Sequence, residues 1–201
     1  MTLIKTREKL VDIARQLFAK KGLENTTMND IAVAAGKGRR TLYTYFKNKE
    51  EIYYAVIESE LDLLSGRIAD VAARNMELEE KLVECIYVHL DAIKEVVVRN
   101  GTLRAEFFRN IWMVEKVRKH FDRDEVKILT RILTNGNSSG QFAVESVPLV
   151  ADVIHYCVKG LEVPYIYGRI GSGLQKEETR RIVKNLIHKA LKGKSNPLPN
   201  L

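Results

Sequence analysis

The stretch Thr26 to Phe46, TTMNDIAVAAGKGRRTLYTYF, decides how the chain is read. Thr27 predicts a helix N-cap, and Asp30 three residues later can answer it in a capping box. Ile31, Ala34 and Ala35 give that short helix one small apolar face. Gly36 closes it, because glycine enters the left-handed backbone region at no steric cost. A second short helix, about Arg39 to Tyr45, sets Leu42 and Phe46 four residues apart on an inward face. Arg39, Arg40, Thr41, Tyr43 and Tyr45 are left to point elsewhere. Helix, glycine turn, helix is the pattern of the helix-turn-helix, whose second helix enters the major groove of DNA.

Outward from this stretch, apolar residues recur at helical spacing almost throughout, and no segment alternates with strand period. Leu10, Ile13, Ala14, Leu17 and Phe18 form one stripe, closed by Gly22, that covers the back of the helix-turn-helix. A long helix is expected from the N-cap Asn48, with Glu51 in the capping-box position, to about Arg74, with Ile52, Ala55, Val56 and Leu63 inward. Leu82 to Val97 carries the cleanest stripe, ended by Asn100-Gly101. Separate helices are expected at Thr102–His120 and Asp122–Leu133, then a loop from Asn135 to Gln141. Ser146 and Pro148 open a helix carrying Val150, Val153, Ile154, Cys157, Val158 and Leu161, which Pro164 kinks or ends. The last helix follows Glu177-Glu178 and holds Ile182, Val183, Leu186, Ile187, Ala190 and Leu191, with a loose tail after it. The expectation is an all-α fold of about nine helices.

From Ile13 to Ile52 the chain resembles the amino-terminal domain of TetR-type (tetracycline-repressor-like) transcriptional regulators. The residues that carry the resemblance are Ala14, Leu17, Phe18, Gly22, Thr26-Thr27, Ile31-Ala32, Ala35-Gly36, Thr41-Leu42-Tyr43, Tyr45-Phe46 and Lys49-Glu50. The resemblance implies a helix-turn-helix DNA-binding domain over residues 1–47 and a helical ligand-binding and dimerisation domain over 48–201. It implies double-stranded operator DNA as partner, a small-molecule effector, and a homodimer in which the last two helices meet their copies. The chain departs from the family between Gly36 and Thr41. Lys37 stands where an apolar residue is usual, and Gly38 where a hydroxyl N-cap is usual. Glycine still caps, at a cost of a few tenths of a kcal/mol, and Lys37 sends its ammonium outward.

Charge distribution agrees with a nucleic-acid partner. Of the 33 Lys/Arg and 26 Asp/Glu, residues 1–53 hold 11 and 6, so a basic head joins a nearly neutral body. Phosphate contacts are expected from Thr26, Thr27, Lys37, Tyr43, Tyr45, Asn48 and Lys49. The resemblance assigns Tyr43 and Lys49 that role in particular. Arg39 and Arg40 are candidates to read a guanine, with Thr41 and Tyr45 next in line.

In the larger domain, His89, Phe107, Phe108 and Trp112 are candidates to line a ligand cavity, with Arg104 or His89 as polar anchor. Plain core packing is the competing reading of the same residues. Cys85 with His89, and His155 with Cys157, invite a metal reading, but residues two apart on a helix face different ways. Core packing is expected, with no metal and no cofactor. No P-loop, GxGxxG, HExxH or nucleophile–base set is present, so an enzyme is not expected. The alternative to a regulator is a helical adaptor binding small molecules or proteins without ligand-switched DNA binding. The absence of an apolar run of about 18 residues, of a signal-peptide core and of paired cysteines leads to an expectation of a cytoplasmic protein without membrane contact.

Overall fold

Helical periodicity becomes helix along the described chain. The computed structural model describes residues 2–99 and 111–192, and within them holds eight helices and no strand. The described chain divides into two units, Met1–Leu63 with Glu95–His120, and Leu64–Lys94 with Phe121–Leu201.

In the first unit, α1 (Thr2–Lys21), α2 (Met28–Ala34) and α3 (Arg39–Tyr45) precede α4 (Lys49–Ala73), which continues into the second unit. Gly22 at φ 84° and Gly36 at φ 64° turn the chain after α1 and α2 through the backbone region that side chains avoid. Thr27 and Asp30 form the expected reciprocal capping box. Leu10, Ala14, Phe18, Ile31, Ala35, Leu42 and Phe46 are buried together with Ile52, Tyr53 and Val56 of α4. Burial of such side chains stabilises by about 1.5–3 kcal/mol each before entropy is counted. Asn48 caps α4 as expected, its Oδ1 accepting from the Glu51 N–H at 2.9 Å, while the Glu51 carboxylate reaches back to the Lys47 N–H at 2.7 Å. Leu63 corrects the expectation of an inward residue: it is 59% exposed.

The second unit takes in α5 (Leu78–Arg99) as far as Lys94, α6 (Ile111–Ser138) from Phe121 on, α7 (Val147–Ile166) and α8 (Lys176–Leu191). Helix α6 replaces the two helices expected on either side of His120–Asp122. The polar run KHFDRD contains neither Gly nor Pro, so nothing in it stops a helix. The same helix takes up the first residues of the expected loop at 135–141. It includes Gly136, against whose bare Cα the buried ring of Phe142 is seated. Asn137 then accepts from the Val144 N–H and donates to its carbonyl, closing the turn. Pro164 lies inside α7, two residues from its end.

Helix α7 buries Ala151, His155, Val158, Glu162 and Ile166. The apolar residues expected to form its core stripe lie largely outside: Val153, Cys157 and Leu161 are exposed. Cys157 is therefore not the core cysteine expected, whereas Cys85 is buried.

Helix α8 is inverted in the same sense. Lys176, Arg180, Lys184 and His188 recur every four residues and bond Asp91, Glu84, Glu80 and Glu79 in turn. With the charged stripe facing α5, Leu191 is the one buried residue of α8, and Ile182 and Leu186 are exposed. Asn100-Gly101 and the tail beyond residue 192 lie outside the described residues.

Candidate nucleic-acid interface

Two inward residues fix the orientation of α3. Leu42 and Phe46 are buried, so helical geometry turns Arg40 and Thr44 to the opposite side, with Arg39 and Tyr43 on one flank. Lys37, Arg39, Arg40, Tyr43 and Thr44 are exposed, and Thr41 and Tyr45 are half-buried. The Arg39 guanidinium stands 6.0 Å from the centre of the Tyr43 ring, within cation–π range. Thr44 is a residue that sequence reasoning missed. Its hydroxyl bonds back to the Arg40 carbonyl at 3.0 Å, and its spacing of four from Arg40 was the available signal.

Gly38 is the N-cap of α3 and supplies no side-chain hydrogen bond, as its identity dictates. The turn before it is closed by the backbone: the Gly36 and Lys37 N–H groups donate to Val33 and Ala32. Lys37 sits on this turn with its side chain in solvent, so the departure from an apolar residue costs no burial of charge.

The two threonines separate. Thr27 is exposed and accepts from the Asp30 N–H through Oγ1 at 3.1 Å. The returning bond from the Thr27 N–H is the first cause holding the Asp30 carboxyl below the usual range. Thr26 corrects an expectation. It is fully buried, its hydroxyl donating to the Gly22 carbonyl at 2.7 Å and its N–H to Leu23, so it braces the α1–α2 corner with no group left for phosphate. Lys49 is half-buried, with Nζ 2.6 Å from the Leu23 carbonyl and 3.2 Å from that of Glu24.

The second unit holds a different kind of cluster around His89. Its Nδ1 lies 2.6 Å from Glu125 and its Nε2 2.8 Å from Glu162, all three buried. Burial works against charge on the imidazole, but the hydrogen bonds to Glu125 and Glu162 outweigh it and lift the His89 pKa to about 9. The other oxygen of Glu125 accepts from His155 Nδ1 at 2.6 Å. Burial raises the Glu125 pKa, the bonds from His155 and His89 lower it further, and the result is about 2. His89 is thus an imidazolium clamped between carboxylates, occupied at both nitrogens. It is not the open polar anchor expected of a cavity wall. Arg104, Phe107 and Phe108, and the side chain of Trp112, lie outside the described residues. Among the described residues no group of three His, Cys, Asp or Glu is arranged to hold a metal ion. No described helix is long and apolar enough to cross a membrane.

A family model described as "Bacterial regulatory proteins, tetR family" matches residues 10–56. The chain is 30% identical over 141 residues to the HTH-type transcriptional repressor KstR2 of Mycolicibacterium smegmatis, covering 68% of this chain and 67% of the relative. It is 25% identical over 142 residues to the HTH-type transcriptional regulator YfiR of Bacillus subtilis, covering 69% of this chain and 68% of the relative. A solved structure of a transcriptional regulator from Cytophaga hutchinsonii has the same fold, with a TM-score of 0.71 at 21% identity over 92% of this chain and 97% of the other.

Proposed function

The chain belongs to the TetR family of DNA-binding transcriptional regulators, and we propose that it acts as a homodimeric repressor released from its operator by a small molecule. The observation that carries the reading is the outward side of α3. A seven-residue helix held by Leu42 and Phe46 turns Arg40 to solvent, flanked by Arg39 and Tyr43, with Lys37 on the turn before it. Guanidinium groups on such a helix match the O6 and N7 acceptors of guanine, and the tyrosine and lysine match phosphate. The Mycolicibacterium relative is a transcriptional repressor.

The dimer reading rests on the inverted helices. Leu149, Val153 and Tyr156 of α7 and Ile182 and Leu186 of α8 are exposed apolar side chains on a chain that has directed its charges inward. Such a face is what an isologous two-fold contact covers. A second copy brings its own α3, as two half-sites require.

The proposed division of labour is a DNA-binding domain over 1–47 and a ligand and dimerisation domain over 48–201, with α4 as the lever between them. A ligand loosens the operator only by preferring one arrangement of the heads, and couplings of about 1–3 kcal/mol are usual for such switches. Titration of the dimer against genomic DNA fragments at two salt concentrations tests the reading. Salt-sensitive binding that concentrates on a few fragments supports it. Binding to none, at either concentration, returns the chain to the class of helical adaptors.

A further inference from the structure

Two charged ties join α4 to α1, the helix behind the recognition helix, and to the turn that follows α1. At the near end, the Lys49 ammonium sits on the carbonyls of Leu23 and Glu24, at 2.6 and 3.2 Å. Those carbonyls lie just beyond the C-terminus of α1, where the helix dipole favours a cation. Two of the three ammonium protons are directed there. Further along α4, Arg15 Nε meets Glu60 at 2.9 Å, and Nη2 of the same guanidinium donates to Ser59 Oγ at 2.9 Å. Glu60 is buried, so its carboxylate meets Arg15 largely out of water, while the guanidinium is partly exposed and also pairs with Asp12 through Nη1 at 2.7 Å. From residue 49 to residue 60 the ties are eleven residues apart, roughly 16 Å along the helix. Ile52, Tyr53 and Val56 are buried between them. Two anchors separated along an axis fix its direction, where one would leave a pivot.

We propose that Lys49 and the Arg15–Glu60 pair set the angle at which α4 carries the recognition helix, so that Lys49 is a positioning residue for DNA binding and not a phosphate ligand. The inference rests on the operator-binding dimer proposed above. Helix α4 runs on without interruption to Ala73, so the angle fixed at its start governs the separation of the two α3 helices in a dimer. Half-site spacing on DNA mirrors that separation. A phosphate ligand behaves differently: its loss weakens every spacing alike and lowers the salt dependence.

The test uses the full-length protein and the variants Lys49→Met, Lys49→Arg and Glu60→Gln. Each is titrated against the operator preferred by the wild type and against a series whose half-site separation is stepped by single base pairs. Lys49→Met and Glu60→Gln should each bind the preferred spacing about tenfold more weakly. The slope of log K against log salt should stay at the wild-type value, and the preference among spacings should flatten. Lys49→Arg, which keeps the cation, should retain the spacing preference. A slope lowered by about 0.9 for each arm, with the spacing preference intact, would identify a phosphate contact and overturn the proposal. Unchanged affinity and unchanged spacing preference would overturn it equally. Thermal melts establish that the variants are folded, and Glu60→Gln carries the test if Lys49→Met is not. A wild type that binds no duplex in a salt-dependent manner instead removes the operator-binding reading beneath it.

Discussion

His89 donates from Nδ1 to Glu125 across 2.6 Å in the interior of the second unit, linking α5 to α6 through an ion pair. Folded His89 has a pKa of about 9 against an ordinary 6.5, so its contribution is complete below about 6.5 and is lost as pH rises through 9. Glu125, at about 2 against an ordinary 4.5, contributes fully above 4.5 and loses its part as pH falls through 2. The two contributions are complete together between about 4.5 and 6.5. Thermal melts should therefore show the wild type losing stability between pH 6.5 and 9, with a smaller loss in His89→Leu. Removing the imidazolium that both buried carboxylates bond should lower the stability of that variant by about 3–5 kcal/mol near neutral pH. Equal pH dependence in both proteins would remove the charged clamp from the account.

Gly136 is required by what rests on it. A Cβ at this position falls within the ring of Phe142, which is buried. Gly136→Ala should displace the ring and destabilise by about 1–3 kcal/mol, despite alanine being the better helix former. Gly66→Ala, also on a helix but with open space around it, should not destabilise. Chemical denaturation of the two variants side by side separates packing from propensity; equal effects would contradict the seating of Phe142.

Much of the first unit was legible because its signals are local. The Thr27–Asp30 box, the glycines at 22 and 36 and the Leu42–Phe46 spacing each act within a few residues, and each forms as read. The inward side of α7 was not legible. Hydrophobicity pointed to Val153, Cys157 and Leu161, while the structure buries His155 and Glu162. Their partners Glu125 and His89 lie 30 and 73 residues away, and no local pattern announces them. Lys49 shows the same limit, since its contact with Leu23 and Glu24 spans 26 and 25 residues. Thr26 was misplaced for a nearer reason: a threonine beside a capping threonine looks exposed, yet the bond to Gly22 turns it inward.

Leu186 is 68% exposed in the protomer, so Leu186→Glu should leave its fold intact. In the proposed dimer the same residue is covered, and a buried unpaired carboxylate there costs several kcal/mol. Sedimentation at micromolar concentration should show the wild type near twice 23.0 kDa and the variant as a folded monomer. A monomeric wild type, or a variant that stays dimeric, would rule out this face.

Effector and operator should oppose each other by the same factor. A compound found by ligand-dependent thermal shift should bind the free dimer more tightly than the operator-bound dimer, and weaken operator binding equally. Calorimetry with and without operator measures both arms. Equal affinity in the two states would exclude release by that compound.

The most direct test of the central claim is a binding-site selection on random duplex DNA with the wild type, Arg40→Ala and Tyr43→Phe. The wild type should select a two-fold symmetric site of two half-sites. Arg40→Ala should relax the choice at one base pair in each half-site and lose about 1–3 kcal/mol on the preferred site. Tyr43→Phe should keep the selected sequence and bind all duplexes more weakly. Selection of no sequence by the wild type, or an unchanged site in Arg40→Ala, would contradict the placement of α3 as the reading helix with Arg40 at the base edges.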